Sequence, residues 1–137
     1  MGKSVCEFLA KEGVNVFAVG RSEDKLADTM ALIQDKGIKT GSKLVDMSDL
    51  DGVGQIVPAC VEAIGGMNIL INAAGILGKS SGSEQDWINC INVDLTSLMQ
   101  LTKKAIPEIE KGERGAIINI ASVAGRQGMK GSAACKS

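Results

Sequence analysis

The chain contains no histidine and no tyrosine among its 137 residues. Imidazole-based catalytic triads, histidine metal sites and any mechanism that needs a phenol from this chain are therefore excluded. An excess of charge of one sign is also lacking, because 15 basic residues are balanced by 16 acidic ones and the formal net charge is -1. So balanced a charge provides no field that would attract nucleic acid or an anionic membrane. We expect neither as a partner.

The cysteines form no pattern of the kind that metal or redox sites use. Cys6, Cys60, Cys90 and Cys135 are far apart in the sequence, whereas zinc and redox sites place cysteines in close pairs. We therefore expect no metal. The sequence also lacks a leader pattern and any run approaching the roughly 18 apolar residues of a membrane helix. A reducing, cytoplasmic setting fits these features best.

Apolar periodicity and glycine punctuation predict helices that alternate with strands in one domain. A helix with Val5, Phe8 and Leu9 on one face opens the chain and ends before Gly13. The predicted strands are residues 14–19, 43–47, 68–72 and 116–121. The other predicted helices are residues 22–37, capped by Ser22, residues 48–64, capped by Ser48, and residues 86–109, with an apolar stripe of Ile91, Leu95, Leu98, Thr102 and Ile106.

Strands and helices that alternate at this interval indicate a parallel sheet, because parallel neighbours need a helix-length connection. We therefore predict an α/β fold with a doubly wound parallel sheet. Ligands of such sheets bind beyond the carboxyl ends of the strands. The residues at those ends are Arg21, Asp46, the segment from Asn72 to Gly75, and Ser122.

Three motifs in this order resemble the classical short-chain dehydrogenase/reductase family. Gly2-Lys3-Ser4 and the helix up to Gly13 are similar to the helix that follows the family's glycine-rich turn. Asn72-Ala73-Ala74-Gly75 resembles its Asn-x-Ala-Gly motif, and the segment from Gly115 to Gly125 resembles the strand that leads to its catalytic serine. The resemblance covers essentially the whole chain. Within the family, the sequence is similar in a general way to the beta-ketoacyl carrier-protein reductases.

The resemblance implies that residues 1–137 form a partial, Rossmann-like NAD(P)-binding domain. The family's first strand and its C-terminal strands are missing from this sequence. In the family the first strand lies in the middle of the sheet, between the strands predicted at 14–19 and 68–72. Its absence leaves two inner strand edges unpaired, unless the flanking strands pair directly with each other.

The resemblance further implies a nicotinamide cofactor, with NADP preferred over NAD. Arg21 follows the second strand of the family's sheet, where a basic residue can pair with the extra phosphate of NADP. Gly20 leaves the position of an NAD-binding carboxylate without a side chain. Asp46 resembles the residue that accepts a hydrogen bond from the adenine amine. The alternatives are that Arg21 is a solvated surface charge and that Asp46 is an ordinary turn residue. The implied cofactor-binding set is Gly2, Arg21, Ser22, Asp46, Met47, Asn72, Ala73, Ala74 and Gly75. Within it, Asn72 is expected to tie strands together rather than to touch the cofactor.

By the same resemblance, Ser122 corresponds to the catalytic serine and the reaction is hydride transfer between the nicotinamide and a small-molecule carbonyl or alcohol. The sequence departs from the family's pattern in three further places. Cys135 stands where the family has its acidic tyrosine, and Asp94 where it has an asparagine that anchors a proton-relay water. The family's lysine would fall at position 139, beyond the last residue. We therefore expect no turnover from this chain alone.

Two other hypotheses belong to different classes. A non-catalytic relative could act as a binding or oligomerisation module, and we expect self-association through the helix from Ile91 to Ile109. Gly2-Lys3-Ser4 also matches the last three residues of a phosphate-binding P-loop, although the upstream glycine and strand of that motif are absent.

Overall fold

A computed structural model describes residues 1–78, 82–123 and 126 of the chain. Within these ranges the helices are α1 (Gly2–Lys11), α2 (Glu23–Ile33), α3 (Leu50–Gly54), α4 (Ile56–Ile64), α5 (Glu84–Ile91) and α6 (Ser97–Ile109). The strands are β1 (Val16–Gly20), β2 (Thr40–Leu44), β3 (Ile69–Asn72) and β4 (Ala116–Asn119). A π-helical turn, Asn92–Thr96, joins α5 to α6. None of the helices in these ranges has the length and apolar content needed to cross a membrane.

The four strands form two separate parallel pairs. β1 pairs with β2, with Val16 opposite Thr40, and β3 pairs with β4, with Ile69 opposite Ala116. No ladder joins β1 to β3 in the described part of the chain. The predicted α/β class with parallel strands is confirmed, and so is the incomplete sheet. Direct pairing of the flanking strands, the alternative that the sequence left open, does not occur.

Two apolar clusters hold the helices against the strands. The larger joins α3, α4 and α6 to β3, and the half-buried Phe17 of β1 packs against it. Its buried members are Val45, Val53, Ile56, Val57, Leu70, Leu101, Ala105 and Ile109. The smaller cluster, Ala10, Val16 and Ile33, packs α1 and α2 onto β1. The helices therefore connect the two sheets although no strand does.

The second predicted strand lies three residues too late in the sequence. β2 covers Thr40–Leu44, so Asp46 lies two residues beyond the strand instead of ending it. The predicted cap of the next helix is also wrong. Asp49 is the N-cap, and its Oδ1 accepts a hydrogen bond from the Gly52 amide at 3.1 Å. Gln55 then interrupts the predicted helix and divides it into α3 and α4.

The long helix begins earlier than predicted and buries a different face. Ser83 and Asp86 form a capping box at its start, a signal within the sequence that periodicity alone does not reveal. Leu95 and Ile106, two members of the predicted apolar stripe, are 51% and 39% exposed. The π turn adds a residue to one turn and so rotates the stripe. The buried face carries a different set of residues: Cys90, Val93, Ser97, Leu101, Ala105 and Ile109.

Gly41 allows α4 to pack directly on β2. A Cβ at this position would lie 2.7 Å from the Cβ of Ala63 and 2.9 Å from Cδ2 of Phe17, both closer than van der Waals contact. We predict that Gly41→Ala lowers the free energy of unfolding by about 1 to 3 kcal/mol, the usual cost of overpacking, measured by urea denaturation.

The matched control is Gly20→Ala at the end of β1. Its Cβ would meet only Cδ1 of Leu26, at an ordinary 3.8 Å. Equal destabilisation by the two substitutions would show that the contact with α4 does not set the effect.

Candidate functional site

A cavity of about 690 Å³ lies between the two sheets. The residues that follow β1, β2 and β3 line it, as does the first turn of α1. Of the predicted cofactor-binding residues, the structure brings eight together on its wall: Gly2, Arg21, Asp46, Met47, Asn72, Ala73, Ala74 and Gly75. Ser22 does not line the cavity. It occupies the N-cap position of α2 and makes no side-chain capping bond.

Asp46 is held in a fixed orientation by the residue two positions later. Its Oδ1 accepts hydrogen bonds from the amide and from the hydroxyl of Ser48, at 2.9 and 2.8 Å. These bonds, the amide bond first, lower the pKa of the Asp46 carboxyl, and the charge of Arg21 lowers the pKa further. The carboxyl therefore stays ionised to a lower pH than an ordinary aspartate. Both bonds use Oδ1, so within the described residues Oδ2 remains able to accept from a ligand.

Asn72 ties three elements together at the end of β3. Its Nδ2 donates to Oδ1 of Asn119 at 2.8 Å and to Oγ1 of Thr102 at 3.3 Å, and the residue is 8% exposed. These two bonds use both hydrogens of the amide, so the side chain has no donor left for a ligand. Its contacts agree with the structural role that the sequence favours for this residue.

Asp94, on the π turn, fixes the loop that follows β3. Its Oδ1 accepts from the Ile76 amide at 2.8 Å, and its Oδ2 lies 3.4 Å from the Cys90 thiol, which donates to it. A π turn inside a helix is often found at a functional site. The carboxylate thus positions the backbone beyond Gly75, next to the cavity.

Of the two predicted catalytic residues near the end of the sequence, the structure describes only Ser122. Ser122 is exposed and lies three residues beyond β4, while Asn72 and Asn119 end the paired strands β3 and β4 side by side. Ser122 therefore belongs to the same edge of the sheet as the loop after β3, although it does not line the cavity. Cys135 lies outside the described residues.

Sequence reasoning missed Ser48 and Cys90, the residues that contact the two candidate aspartates. The sequence contains a local pattern that could have identified each of these two contacts. Asp and Ser two residues apart form a common turn in which the carboxylate accepts the later amide. Cys90 lies four residues before Asp94, the spacing that places two side chains on one helix face. Within the described ranges, no group of three metal-ligating side chains is present.

The parallel strands, the crossover helices and the cavity at the carboxyl ends define a doubly wound α/β protein with a candidate nucleotide site. The family model described as short chain dehydrogenase matches residues 1–136. The chain belongs to the short-chain dehydrogenase family.

Relatives and solved structures agree with this membership. The chain is 33% identical over 138 residues to the 3beta-hydroxysteroid dehydrogenase of Mediterraneibacter gnavus, covering 98% of this chain and 50% of the relative. It is 31% identical to the 3-oxoacyl-acyl-carrier-protein reductase of Staphylococcus aureus, with 97% of this chain and 56% of the relative covered. Among solved structures, an actinorhodin polyketide ketoreductase variant with NADPH superposes with a TM-score of 0.86 at 28% identity, covering 98% of this chain and 53% of that one. The chain spans about half the length of the relatives it matches.

We predict that Asp94→Ala loosens the loop after β3, because the Ile76 amide loses its acceptor. Loss of this bond should lower the free energy of unfolding by about 1 to 2 kcal/mol and speed hydrogen exchange at the Ile76 amide. Asp94→Asn keeps a carbonyl oxygen and should show a clearly smaller change. The idea fails if the Ile76 amide exchanges at the same rate in all three proteins.

Proposed function

We propose that the chain is the nucleotide-binding part of an NADP-dependent oxidoreductase that transfers hydride between NADP(H) and a carbonyl or alcohol. The observation that carries this proposal is the meeting of Arg21, Asp46 and the loop 73–75 on one cavity wall, at the carboxyl ends of three strands. A fold of this kind binds nucleotides at that edge. Membership of the short-chain dehydrogenase family supports an oxidoreductase and does not favour the non-catalytic module or the P-loop.

The adenosine half of the cofactor fits the residues on this wall. The ionised Asp46, oriented by Ser48, can accept a hydrogen bond from the adenine amino group through Oδ2. Arg21 can pair with a 2′-phosphate in a two-pronged manner, whereas Gly20 has no carboxylate for a free ribose hydroxyl. The related ketoreductase structure contains NADPH. These features favour NADP over NAD.

The start of α1 can contribute to binding the phosphates. The helix has no acidic residue in its first turn and no side-chain cap, so the amides of its first residues have no partner within the helix. Gly2 and Lys3 both line the cavity. Helix N-termini attract anions because their free amides and the helix dipole both favour negative charge.

Hydride transfer requires residues other than those that bind the cofactor. The cofactor, when bound, supplies or accepts a hydride at its nicotinamide. Ser122 would donate a hydrogen bond to the substrate oxygen, and the loop held by Asp94 would keep the backbone beside the cavity in place. Cys135 at the tyrosine position is a weaker hydrogen-bond donor than a phenol. Binding is therefore the appropriate property to measure on this chain.

We also propose a cytoplasmic location. In the described part of the chain Cys6 and Cys60 form no disulfide, and burial raises the pKa of both thiols. Unpaired buried cysteines suit a reducing compartment.

We predict that the chain binds adenosine 2′,5′-bisphosphate about 10-fold more tightly than adenosine 5′-monophosphate, a difference of about 1.4 kcal/mol. Arg21→Ala should abolish the difference by weakening only the bisphosphate. Titration calorimetry of both ligands measures it. Arg114→Ala, which removes an exposed arginine outside the cavity, is the matched control. Equal affinities for the two ligands in the unaltered chain would contradict the preference for NADP.

We further propose that the chain self-associates through one face of the long helix. Leu95, Met99 and Ile106 are 51%, 54% and 39% exposed, and their spacing of four and seven residues places them in one stripe. A continuous apolar stripe of this kind is typical of helices that pair between subunits.

We predict that Met99→Glu shifts the chain from dimer to monomer in sedimentation equilibrium, because the charge would be buried at the contact. Phe8→Glu on α1, also an exposed apolar residue, should leave the dimer intact. An unaltered chain that stays monomeric at high concentration would rule out the contact.

A further inference from the structure

Two acceptor oxygens lie close to one thiol beside the loop that follows β3. They are the backbone carbonyl oxygen of Ile76 and Oδ2 of Asp94, which lie 3.9 and 3.4 Å from Sγ of Cys90. Oδ1 of the same aspartate accepts a hydrogen bond from the Ile76 amide at 2.8 Å. An ionised carboxylate can only accept hydrogen bonds, so Asp94 can bind the amide of Ile76 but has no hydrogen for the carbonyl.

The Cys90 thiol supplies a hydrogen between these two acceptors. Cys90 lies on α5, four residues before Asp94, a spacing that brings the two side chains to one face of the helix. The residue is 0% exposed, so bulk water does not reach this position. The shorter of the two sulfur distances is to the carboxylate, which is a stronger acceptor than a neutral carbonyl. Without the thiol, both oxygens would lose this hydrogen in a buried place, where acceptors that lack a donor are costly.

An asparagine at position 94 could meet both requirements with one side chain. Its amide oxygen accepts and its amide nitrogen donates, so it could bind the Ile76 amide and also offer a hydrogen to the neighbouring carbonyl. Asp94 stands where the family's pattern has an asparagine. In this chain the hydrogen comes instead from a second side chain, one turn earlier on the helix.

We propose that Cys90 is a positioning residue for the cofactor site, and that it acts with Asp94 as a donor and acceptor pair in place of one amide side chain. Asp94 holds the Ile76 amide, and the thiol holds the carboxylate in the orientation that this bond needs. Gly75 and Ile76 line the cavity, and Oδ1 of Asp94 would lie only 3.5 Å from a Cβ at Gly75. The pair thus fixes the backbone on the cavity wall. Its service to a cofactor rests on the proposed function, whereas the anchor itself does not.

The test combines residue-resolved hydrogen exchange with a double-mutant cycle on the whole chain. Cys90→Ala should speed exchange of the Ile76 amide about 5-fold, a factor typical of one net protein hydrogen bond. Asp94→Asn added to Cys90→Ala restores a donor and should return the rate to within about twofold of the unaltered chain. Cys90→Ser, which keeps a donor, should have a smaller effect than Cys90→Ala. A double variant that exchanges as fast as Cys90→Ala would overturn the proposal, because a sulfur that only fills space cannot be replaced from position 94.

Cys60→Ala is the matched control for the lost volume. Cys60 is 3% exposed, and its Sγ lies 3.9 Å from the carbonyl of Gly66, at the opposite end of β3 from the loop. The amide of Val45, bonded beside the other sheet, reports any change in the stability of the whole chain. Relative to Val45, exchange at Ile76 should be unchanged in Cys60→Ala. Equal acceleration at Ile76 by Cys60→Ala and Cys90→Ala would contradict a specific role of the thiol.

The infrared S–H stretching band of Cys90 provides a signature that a change in stability does not produce. The band is assigned by its loss in Cys90→Ala or, if that variant does not fold, in Cys90→Ser. A thiol that donates to a carboxylate vibrates at a lower frequency than one that donates to a neutral carbonyl, because the charge-assisted bond is stronger. Asp94→Asn should therefore raise the frequency of the Cys90 band and leave the Cys60 band in place. An unmoved Cys90 band would show that the thiol does not bind the carboxylate.

Ligand binding separates this inference from the proposed function. Adenosine 2′,5′-bisphosphate should bind about 3-fold more weakly to Cys90→Ala, because a loosened backbone must be ordered on binding. Adding Asp94→Asn to that variant should restore the affinity. An unchanged affinity in Cys90→Ala, despite faster exchange at Ile76, would overturn the positioning role. If the unaltered chain binds no bisphosphate while the exchange and the thiol band behave as expected, the anchor is confirmed and the proposed function, with its cofactor, is refuted.

Discussion

The packing of α3, α4 and α6 against both sheets is the interaction on which the rest of this structure depends. No backbone hydrogen bond joins β1 to β3 in the described residues, so the relative position of the two sheets comes from side chains. Val57 and Leu101 lie in one cluster with Leu70 of β3, and Phe17 of β1 packs against the same cluster. Close-packed interiors hold such distances firmly because a change of one methyl volume is felt by every neighbour.

The candidate site depends on this arrangement in a simple way. Two loops that line the cavity, those after β2 and β3, are each anchored once by the strand and once by a carboxylate. Asp46 binds its own turn through Ser48, and Asp94 binds the loop after β3 through the Ile76 amide. The strands determine where the loops begin, and the two aspartates determine how their backbones run from there. A ligand site built in this manner is largely formed before the ligand arrives, which reduces the ordering that binding must impose.

Much of the fold could be predicted from local signals. The glycine-bounded apolar runs around β3 and β4 and the amphipathic pattern of α2 identify those elements, and the motifs at Asn72 and Ser122 identify the family. Other features depend on long-range contacts. Gly41 of β2 lets α4 approach the strand closely, and a weakly apolar stretch does not reveal such a contact in isolation.

The long helix and the site show the same limit. The π turn adds one residue to the helix and changes which residues form its buried face. A search for a regular period of 3.6 residues does not detect this extra residue. The meeting of Arg21 with Asp46 could be expected from the order of parallel strands, since their carboxyl ends share an edge. The hydrogen bond from Ile76 to Asp94 could not, because it joins a loop and a helix 18 residues apart through one particular rotamer.

The amide pair of Asn72 and Asn119 has a consequence for the accuracy of folding. The two residues are direct partners in the parallel ladder, and their side chains bond at 2.8 Å where the strands end. Sliding one strand by a single residue would turn one amide to the opposite face of the sheet and separate the pair. The neighbouring partners, Ile71 and Ile118, are two identical apolar side chains, so they distinguish the correct register from a shifted one less specifically than a hydrogen-bonded pair does. The hydrogen bond between the two amides therefore favours the correct register of β3 and β4 over registers shifted by one residue.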